Sequence, residues 1–491
     1  MTVAVVAHAP TERSRPSLEA VPGQVGVLAV LVVAAATVAM PTLARPVLTV
    51  ALAAAFGVLA IVRPHRSILA LFAWLLVLGS VRRIVTGVSP AGETDLLLLV
   101  GPVALVSLVV ASKPLRAHLA PTRLSRAVLV LSVVVFASAF NPAQGNLLAG
   151  VAGLLFTFLP MLAFWVGRGL ADRVLLRLLQ LVMVGGIGAA AYGLFQQFVG
   201  FPWWDERWAA EAQANGYLAL NVGFRVTRAF SSFASSQEYA AILTVAIVLV
   251  GTFYARRLPV FLGAGGFLAV TLVLAGSRTP IVMVLMTGGL LVATRLRLPL
   301  PLVAAAGAIS AVLVFVGAGH LAQATSTSGA AAPFVDRQLE GLANPLDAEK
   351  STASAHYGYF VEGISSAFTD PIGHGLGVIS VAGSRFGADE KFTEYDPSNL
   401  AVAAGLPGLV AYLAVAVLGF RRAYREARAR PGPLSLAVLG VLIVMFTQWL
   451  NGGLYALSML PWLVLGWADR HAAEGQGEVG VESETPQVLP A

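Results

Sequence analysis

The sequence predicts an all-α polytopic integral membrane protein, and three observations lead to that class. Of the 491 residues, 57% are apolar and only 12% are charged, which is less charge than soluble domains carry. Apolar runs of about 20 residues, the length of a helix that crosses a bilayer, recur along the chain. These runs are continuous, whereas the strands of a membrane β-barrel would alternate apolar and polar residues.

We predict about fourteen transmembrane helices, with a large extracytoplasmic loop between the eleventh and the twelfth. The predicted spans begin near Val25, Pro46, Ser67, Thr94, Arg126, Leu147, Leu176, Glu238, Leu258, Thr279, Pro299, Leu400, Pro433 and Gly453. The third and the last are short, so the count is open by one or two.

Seven regions follow from these spans. Residues 1–24 and the polar, acidic residues 471–491 are tails that we expect to be disordered. The regions between them are a first transmembrane group (25–200), a first long outer loop (201–236), central helices (237–319), a large outer loop with an amphipathic helix (320–398) and C-terminal helices (399–470). The first tail has no apolar segment with a small-residue cleavage site, so we expect no cleaved signal peptide.

The basic residues predict the orientation. Most Lys and Arg residues of the short connections fall in alternate loops, and the other short loops hold only Arg45, Arg82, Arg83 and Arg278. The positive-inside rule then places both termini in the cytoplasm and both long loops outside the cytoplasmic membrane. The same bias explains the net charge of +7, so we expect no nucleic-acid partner. The chain has no cysteine, which excludes disulfides and cysteine metal sites.

Three arginines on the predicted outer side are candidates for binding an anion. Arg225 and Arg228 stand just before a helix whose start is predicted at Ser235, and Arg278 lies in a tight turn between two spans. Guanidinium groups and helix N-termini both favour phosphate oxygens, so this pattern predicts a phosphate site. Contacts with lipid headgroups and ion pairs with carboxylates remain open as alternatives.

The large outer loop supplies candidate general bases toward a hydroxyl group. These are His374, Glu362 and Asp396, and ordinary solvated charge is the alternative for each. The histidines lack metal-ligand spacing, so we expect neither a metal nor a cofactor. The spans themselves are almost free of ionisable residues, which disfavours an ion-coupled transporter.

Four short motifs follow one another at residues 225–233, 276–280, 370–377 and 398–409. Besides the arginines, their characteristic positions are Ser277, Gly375, Gly377, Ser398 and Asn399. In this order the motifs resemble the O-antigen ligase and O-antigen polymerase superfamily of bacterial membrane glycosyltransferases. The resemblance covers residues 224–413, and the rest of the chain resembles the family only in being apolar helices.

The resemblance implies transfer or polymerisation of a glycan from a polyprenyl diphosphate carrier to a hydroxyl of a glycan or lipid acceptor. The reaction would take place at the outer membrane face, in cell-surface polysaccharide assembly, among membrane lipids and envelope-assembly partners, and without a metal. Arg225 or Arg228, together with Arg278, would hold the diphosphate. The alternatives are a transporter or flippase of lipid-linked intermediates and a non-catalytic scaffold.

One position departs from the resemblance. Many ligases have a histidine directly before the asparagine of the last motif, where this chain has Ser398 before Asn399. The general base would then be another group, such as His374, His356 or a carboxylate of the large loop, or the chain would be polymerase-like.

Overall fold

A computed structural model describes most of the chain. The described residues are 43–87, 95–112, 119–214, 221–222, 226–324, 332–345, 347, 353–379, 383, 386–389, 391, 393, 395–450 and 452–482. The first predicted span, near Val25, and the tail 1–24 lie outside these ranges, as does Arg225.

The described chain is almost entirely helical, as the sequence predicts. Its α-helices are α1 (Ala44–Val62), α2 (Pro64–Thr86), α3 (Val100–Ala111), α4 (Arg123–Ser138), α5 (Leu147–Arg168), α6 (Asp172–Phe198), α7 (Trp203–Ala214), α8 (Ser236–Tyr254), α9 (Leu258–Leu274), α10 (Arg278–Arg295), α11 (Leu300–Ala324), α12 (Ala332–Ala343), α13 (Ala353–Thr369), α14 (Asp396–Ala429), α15 (Pro433–Val444) and α16 (Met459–Glu482). A π-helical turn interrupts α5 at Leu154–Phe158. Two strands of two residues each, β1 (Asn221–Val222) and β2 (Val226–Thr227), pair antiparallel.

Within the described ranges, seven helices are long and apolar enough to cross a membrane. They are α1, α2, α5, α6, α8, α11 and α14. The helix α3 with its preceding 3₁₀ turn, α9 and α15 are apolar but shorter. The fold is therefore that of an all-helical membrane protein, and the total of fourteen spans stays a prediction.

Burial separates central helices from peripheral ones. About two thirds of the most apolar window is buried in α8 and in α14, at 67% each, against 17% in α11 and 22% in α1. Large side chains fill the centre, among them Tyr239, Tyr412, Trp449 and Trp462. The peripheral helices leave apolar side chains on the surface, as helices that face lipid do.

The helix α6 connects two polar ends of the bundle. Its first residue, Asp172, contacts Arg470 at 2.9 Å, and Gln196 near its last turn contacts Asp205 at 2.7 Å. The 24 residue steps from Asp172 to Gln196 rise about 1.5 Å each, so these contacts lie about 36 Å apart. That distance is enough to cross the hydrocarbon core of a bilayer, which is about 30 Å thick. We call the two ends the Asp172 end and the Asp205 end.

The helix α14 is broken near its start. Gly405 has φ 61° and ψ −149°, which divides a buried half-helix, residues 396–404, from a long helix that follows. A Cβ at Gly405 would overlap the carbonyl group of Pro371. Only glycine combines this conformation with this close approach, so the break is fixed by sequence.

The region predicted as the large outer loop, residues 320–398, contains more regular structure than the one amphipathic helix predicted for it. Both α12 and α13 lie in it, and α13 packs against α14. Its contact face is formed by small residues, Gly363 and Ala367, whereas Tyr357, Val361 and Phe368 are exposed. At the C-terminus, α16 continues to Glu482, into the tail expected to be disordered.

Candidate functional site

Three arginines from separate segments come together at the Asp205 end. Arg228 follows β2, Arg278 is the first residue of α10, and Arg337 lies on α12. Burial, followed by the charges of Arg337 and Arg278, lowers the pKa of Arg228 to about 10. Burial and Arg337 also lower the pKa of Arg278. Each arginine therefore lies within electrostatic range of the others, and we call them the three-arginine cluster.

The described part of the chain provides no carboxylate that pairs with this cluster. The arginines that form ion pairs in the described residues are other ones, such as Arg45, Arg83 and Arg168. The Nε of Arg228 is buried without a hydrogen-bond partner in the described residues. Three like charges in a partly desolvated place repel one another. Such a cluster is a strong site for a multivalent anion.

The helix α12 fixes the position of two of these arginines. The guanidinium of Arg278 lies directly on Gly341, where a Cβ would overlap it. Gln338 is buried and donates to the carbonyl group of Val273 at 3.3 Å. Leu342 packs in a small apolar cluster with side chains of α10 and α11. Because α12 lies over the start of α10, Arg337 adds its charge to a helix N-terminus that already favours anions.

A narrow crevice adjoins the three-arginine cluster between α6, α8 and α9. Ala229 and Ala275, close in sequence to Arg228 and Arg278, line it. The hydroxyl group of Tyr239 and the Oε1 of Gln197 are buried there without hydrogen-bond partners in the described residues. The crevice is too narrow for a water molecule in this conformation, so these two atoms meet no ligand group there.

The glycine-rich motif at residues 370–377 caps the broken helix. The amides of His374 and Gly375 donate to the carbonyl groups of Val402 and Ala403 at 2.8 and 2.9 Å. These are the last carbonyls of the half-helix, which have no partner within it. Gly375 has φ +99°, and a Cβ there would lie against Gln144. The motif therefore has a structural role in addition to any chemical one.

The same motif is tied to a neighbouring connection. The amide of Gly377 donates to Oε1 of Gln144 at 3.0 Å, and Asn141 donates to the carbonyl group of Gly373 at 2.8 Å. Gln144 and Asn141 follow α4, which begins at the Asp172 end, where Thr122 donates to Asp469. The motif thus lies at the Asp205 end, the same end as the three-arginine cluster.

The three candidate bases have different surroundings. His374 is half-buried, and its Nε2 lies 3.5 Å from Oδ2 of Asp370. Glu362 is exposed on α13. Asp396 is only 1% exposed and accepts hydrogen bonds from the hydroxyl group of Tyr412 and the amide of Leu450, both at 3.1 Å. His374 and Glu362 are accessible to a substrate, whereas Asp396 joins the start of α14 to the turn before α16.

Ser398 and Asn399 anchor the loop that precedes α14. Thr393 donates to the hydroxyl group of Ser398 at 2.6 Å, and its amide donates to Oδ1 of Asn399 at 2.8 Å. Both side chains are buried. Ser277 is the N-cap residue of α10, although its side chain makes no capping hydrogen bond.

The structure brings together Arg228 and Arg278, two of the three arginines predicted to bind the diphosphate, and adds Arg337, which the sequence reasoning missed. The pattern of residues 332–343 predicts an amphipathic helix, but it does not distinguish Arg337 from an ordinary solvated charge. Among the described residues, no hydrogen bond or ion pair joins the cluster to His374, Glu362 or Asp396. No three His, Asp or Glu side chains of the described ranges come together as a metal site. No family model matches the chain, and no curated protein matches it.

Proposed function

We propose that the chain is a membrane glycosyltransferase of the O-antigen ligase and polymerase type, acting on a glycan linked to a polyprenyl diphosphate. The observation that carries the proposal is the three-arginine cluster, which has no carboxylate partner in the described chain. A diphosphate has enough charge and enough acceptor oxygens to engage several guanidinium groups at once. Binding it would relieve the mutual repulsion of Arg228, Arg278 and Arg337.

In the proposed reaction, an acceptor hydroxyl attacks the anomeric carbon of the carrier-linked sugar. The bond from that carbon to the phosphate oxygen breaks, and the carrier diphosphate leaves with the electron pair. The arginines stabilise the charge that develops on this leaving group. We assign His374 as the base that takes the hydroxyl proton, oriented by Asp370, with Glu362 as the second candidate. The burial of Asp396 gives it the weakest claim.

The proposed reaction takes place at the outer face of the cytoplasmic membrane, with both termini in the cytoplasm. The bias of basic residues toward alternate loops supports this orientation. An even number of spans, such as the proposed fourteen, places both termini on the same side. The carrier chain would lie between helices, and the exposed apolar side chains of α13, Tyr357, Val361 and Phe368, would rest in the membrane interface over the site. The acceptor would be a second glycan or a lipid.

The replacement Arg278→Ala tests the proposal in cells that make the polysaccharide. We expect the amount of polymer or ligated glycan to fall about a hundredfold or more at equal protein level, since losing one such donor costs that much in related chemistry. Arg295→Ala is a matched control, because Arg295 is exposed at the other end of the same helix. Unchanged product in the Arg278 variant would overturn the proposal.

A binding experiment separates recognition from transfer. The purified chain in detergent is titrated with farnesyl diphosphate and, in parallel, with farnesol. We expect saturable binding of the diphosphate, weakened by Arg228→Gln, by Arg278→Gln and by Arg337→Gln, and no comparable binding of the alcohol. Equal affinity for both compounds would show that the prenyl chain alone is recognised.

A transporter of lipid-linked intermediates is the second candidate, and the break in α14 favours it. Broken helices within a membrane are typical of transporters, whose half-helices line a substrate path. Reconstituted protein that moves a labelled carrier lipid between leaflets without forming a glycosidic bond would support it. Formation of a glycosidic bond by the reconstituted protein would support the transferase.

A further inference from the structure

We propose that Arg83 and Asp205 are positioning residues for the anion site. They hold the loop 228–235 so that Arg228 stays within range of Arg278 and Arg337. The inference rests on the proposed function, because it takes the three-arginine cluster to be the place where an anionic group binds.

The two residues form a fully buried ion pair between α2 and α7. Nε of Arg83 lies 2.6 Å from Oδ1 of Asp205, and the two side chains are only 2% and 0% exposed. The other carboxylate oxygen of Asp205 accepts hydrogen bonds from the hydroxyl group of Tyr192 and from Nε2 of Gln196. One oxygen of the carboxylate is thus held by two hydrogen bonds and the other by the ion pair.

The rest of the Arg83 guanidinium holds the loop itself. Its terminal nitrogens donate to the carbonyl groups of Ser231 and Phe233, the second at 2.6 Å. The same group lies over the ring of Phe230 at 4.9 Å and near that of Trp208 at 5.6 Å. One planar cation thus joins the loop to α7, an arrangement that lysine could not reproduce because it lacks the rigid fork of donors.

The loop needs this restraint because its backbone is unfavourable by itself. Ser231 adopts φ +52°, the left-handed region that residues other than glycine rarely occupy. Oε1 of Gln196 accepts the amides of Phe230 and Ser231, at 3.1 and 2.7 Å. The hydroxyl groups of Ser231 and Ser232 donate to backbone carbonyls of α6 and α2. The chain is therefore immobilised from two residues after Arg228 onward.

Electrostatics explains why such a device belongs here. Repulsion from Arg278 and Arg337 acts to push Arg228 out of the cluster, and the strand before Arg228 is only two residues long. A buried ion pair adds little stability compared with well-packed apolar residues. It can nevertheless select one conformation, because other conformations would leave its charges buried and unpaired. Holding the loop 228–235 is the specific result that this ion pair achieves.

The test measures the affinity of the purified full-length chain for farnesyl diphosphate in detergent. Arg83→Lys keeps the charge and loses the fork, and Asp205→Asn is the second variant should the first fold poorly. We expect the affinity to fall about ten- to a hundredfold in each, the usual effect of displacing a binding group by a fraction of an ångström to an ångström. The matched control is Arg168→Lys, which alters another buried Arg–Asp pair, at the Asp172 end, and is expected to lower thermal stability without changing affinity.

A double-mutant cycle distinguishes positioning from general destabilisation. If Arg83 acts through Arg228, Arg83→Lys has no further effect on affinity in a chain that already carries Arg228→Gln. Additive losses, or an unchanged affinity in both Arg83→Lys and Asp205→Asn, would overturn the inference while leaving the proposed function intact. A wild-type chain that fails to bind the diphosphate would instead overturn the proposed function.

Discussion

The sequence assigns four arginines to short outer loops, whereas the structure places them at the ends of helices and divides them into two kinds. Arg45 and Arg82 both pair with Asp95, and Arg83 pairs with Asp205. Arg278 instead lies with Arg228 and Arg337 and has no carboxylate partner among the described residues. Arg83 is neutralised by its own carboxylate, whereas Arg45 and Arg82 share the single carboxylate of Asp95. The unpaired ones keep their capacity to bind an anion.

The Asp172 end repeats the paired arrangement. Arg168 lies 3.0 Å from Asp469, and Arg470 lies 2.9 Å from Asp172. Burying a lone cation costs several kcal/mol, so a partner is the ordinary outcome. The three-arginine cluster departs from this rule, and an arginine beside a helix N-terminus is also unfavourable for the helix. A bound anion would offset both the cost of burying unpaired cations and the cost of placing a cation at a helix N-terminus.

Among these tests, giving Arg278 a carboxylate partner should have the largest effect on anion affinity. Any side chain at position 341 would displace the Arg278 guanidinium, to which Gly341→Asp then offers a carboxylate and Gly341→Asn a neutral group of similar size. We expect farnesyl diphosphate affinity to fall about a hundredfold in the first variant and about tenfold in the second. Isothermal titration in detergent measures both. Equal losses would mean that only the volume at position 341 matters.

Removing a partner should act on stability instead. Asp469→Asn leaves Arg168 buried without its carboxylate, and we expect a loss of about 3–5 kcal/mol in the free energy of unfolding. Denaturant titration in detergent, followed by tryptophan fluorescence, measures this loss. Affinity for farnesyl diphosphate should stay within about twofold of wild type, since this pair lies at the other end of the bundle. A large change in affinity would contradict the separation of paired arginines, which stabilise the fold, from unpaired arginines, which bind the anion.

The smallest expected effect is a dependence on pH. The pKa of Arg228 is lowered from 12.5 to about 10, so this group loses its proton as the pH rises through that value. The affinity advantage of wild type over Arg228→Gln should therefore shrink between about pH 9 and pH 11. Between pH 10 and 12.5 Arg228 is protonated in the unfolded chain but not in the folded chain. The free energy of unfolding therefore rises with pH in this range, whereas the affinity for the anion falls. A constant advantage across this range would contradict the lowered pKa.

The fold was largely predictable because its main signal is local. A run of apolar residues forms a helix in a membrane whatever its neighbours are, and helices begin close to most of the predicted starts from Pro46 onward. The capping residue Ser235 was also correctly identified, since its hydroxyl accepts the amide of Glu238 at 3.1 Å. The break at Gly405 was not predicted, because it depends on the carbonyl group of a distant Pro371.

The site was predictable only in part. Arg278 was identified because a lone cation in a predicted outer turn is unusual, and Arg228 because it precedes a predicted helix start; both properties can be read from the sequence. Arg337 was missed because it stands among Asp336 and Glu340, where a local reading expects an ordinary solvated face. The glycines at 375 and 377 were expected to mark a motif, but their contacts with Gln144 cannot be read from spacing.

The sequence by itself determined the membrane class, the helical segments, the bias of basic residues and the presence of arginines on one predicted side. Each of these depends on the transfer of a residue between water and lipid, which is a property of the residue and its close neighbours. Tertiary structure alone decided which arginine received a carboxylate, because electrostatic pairing acts over a few ångströms between segments far apart in the chain. That distinction separates the arginines that hold the fold from those we propose hold the substrate.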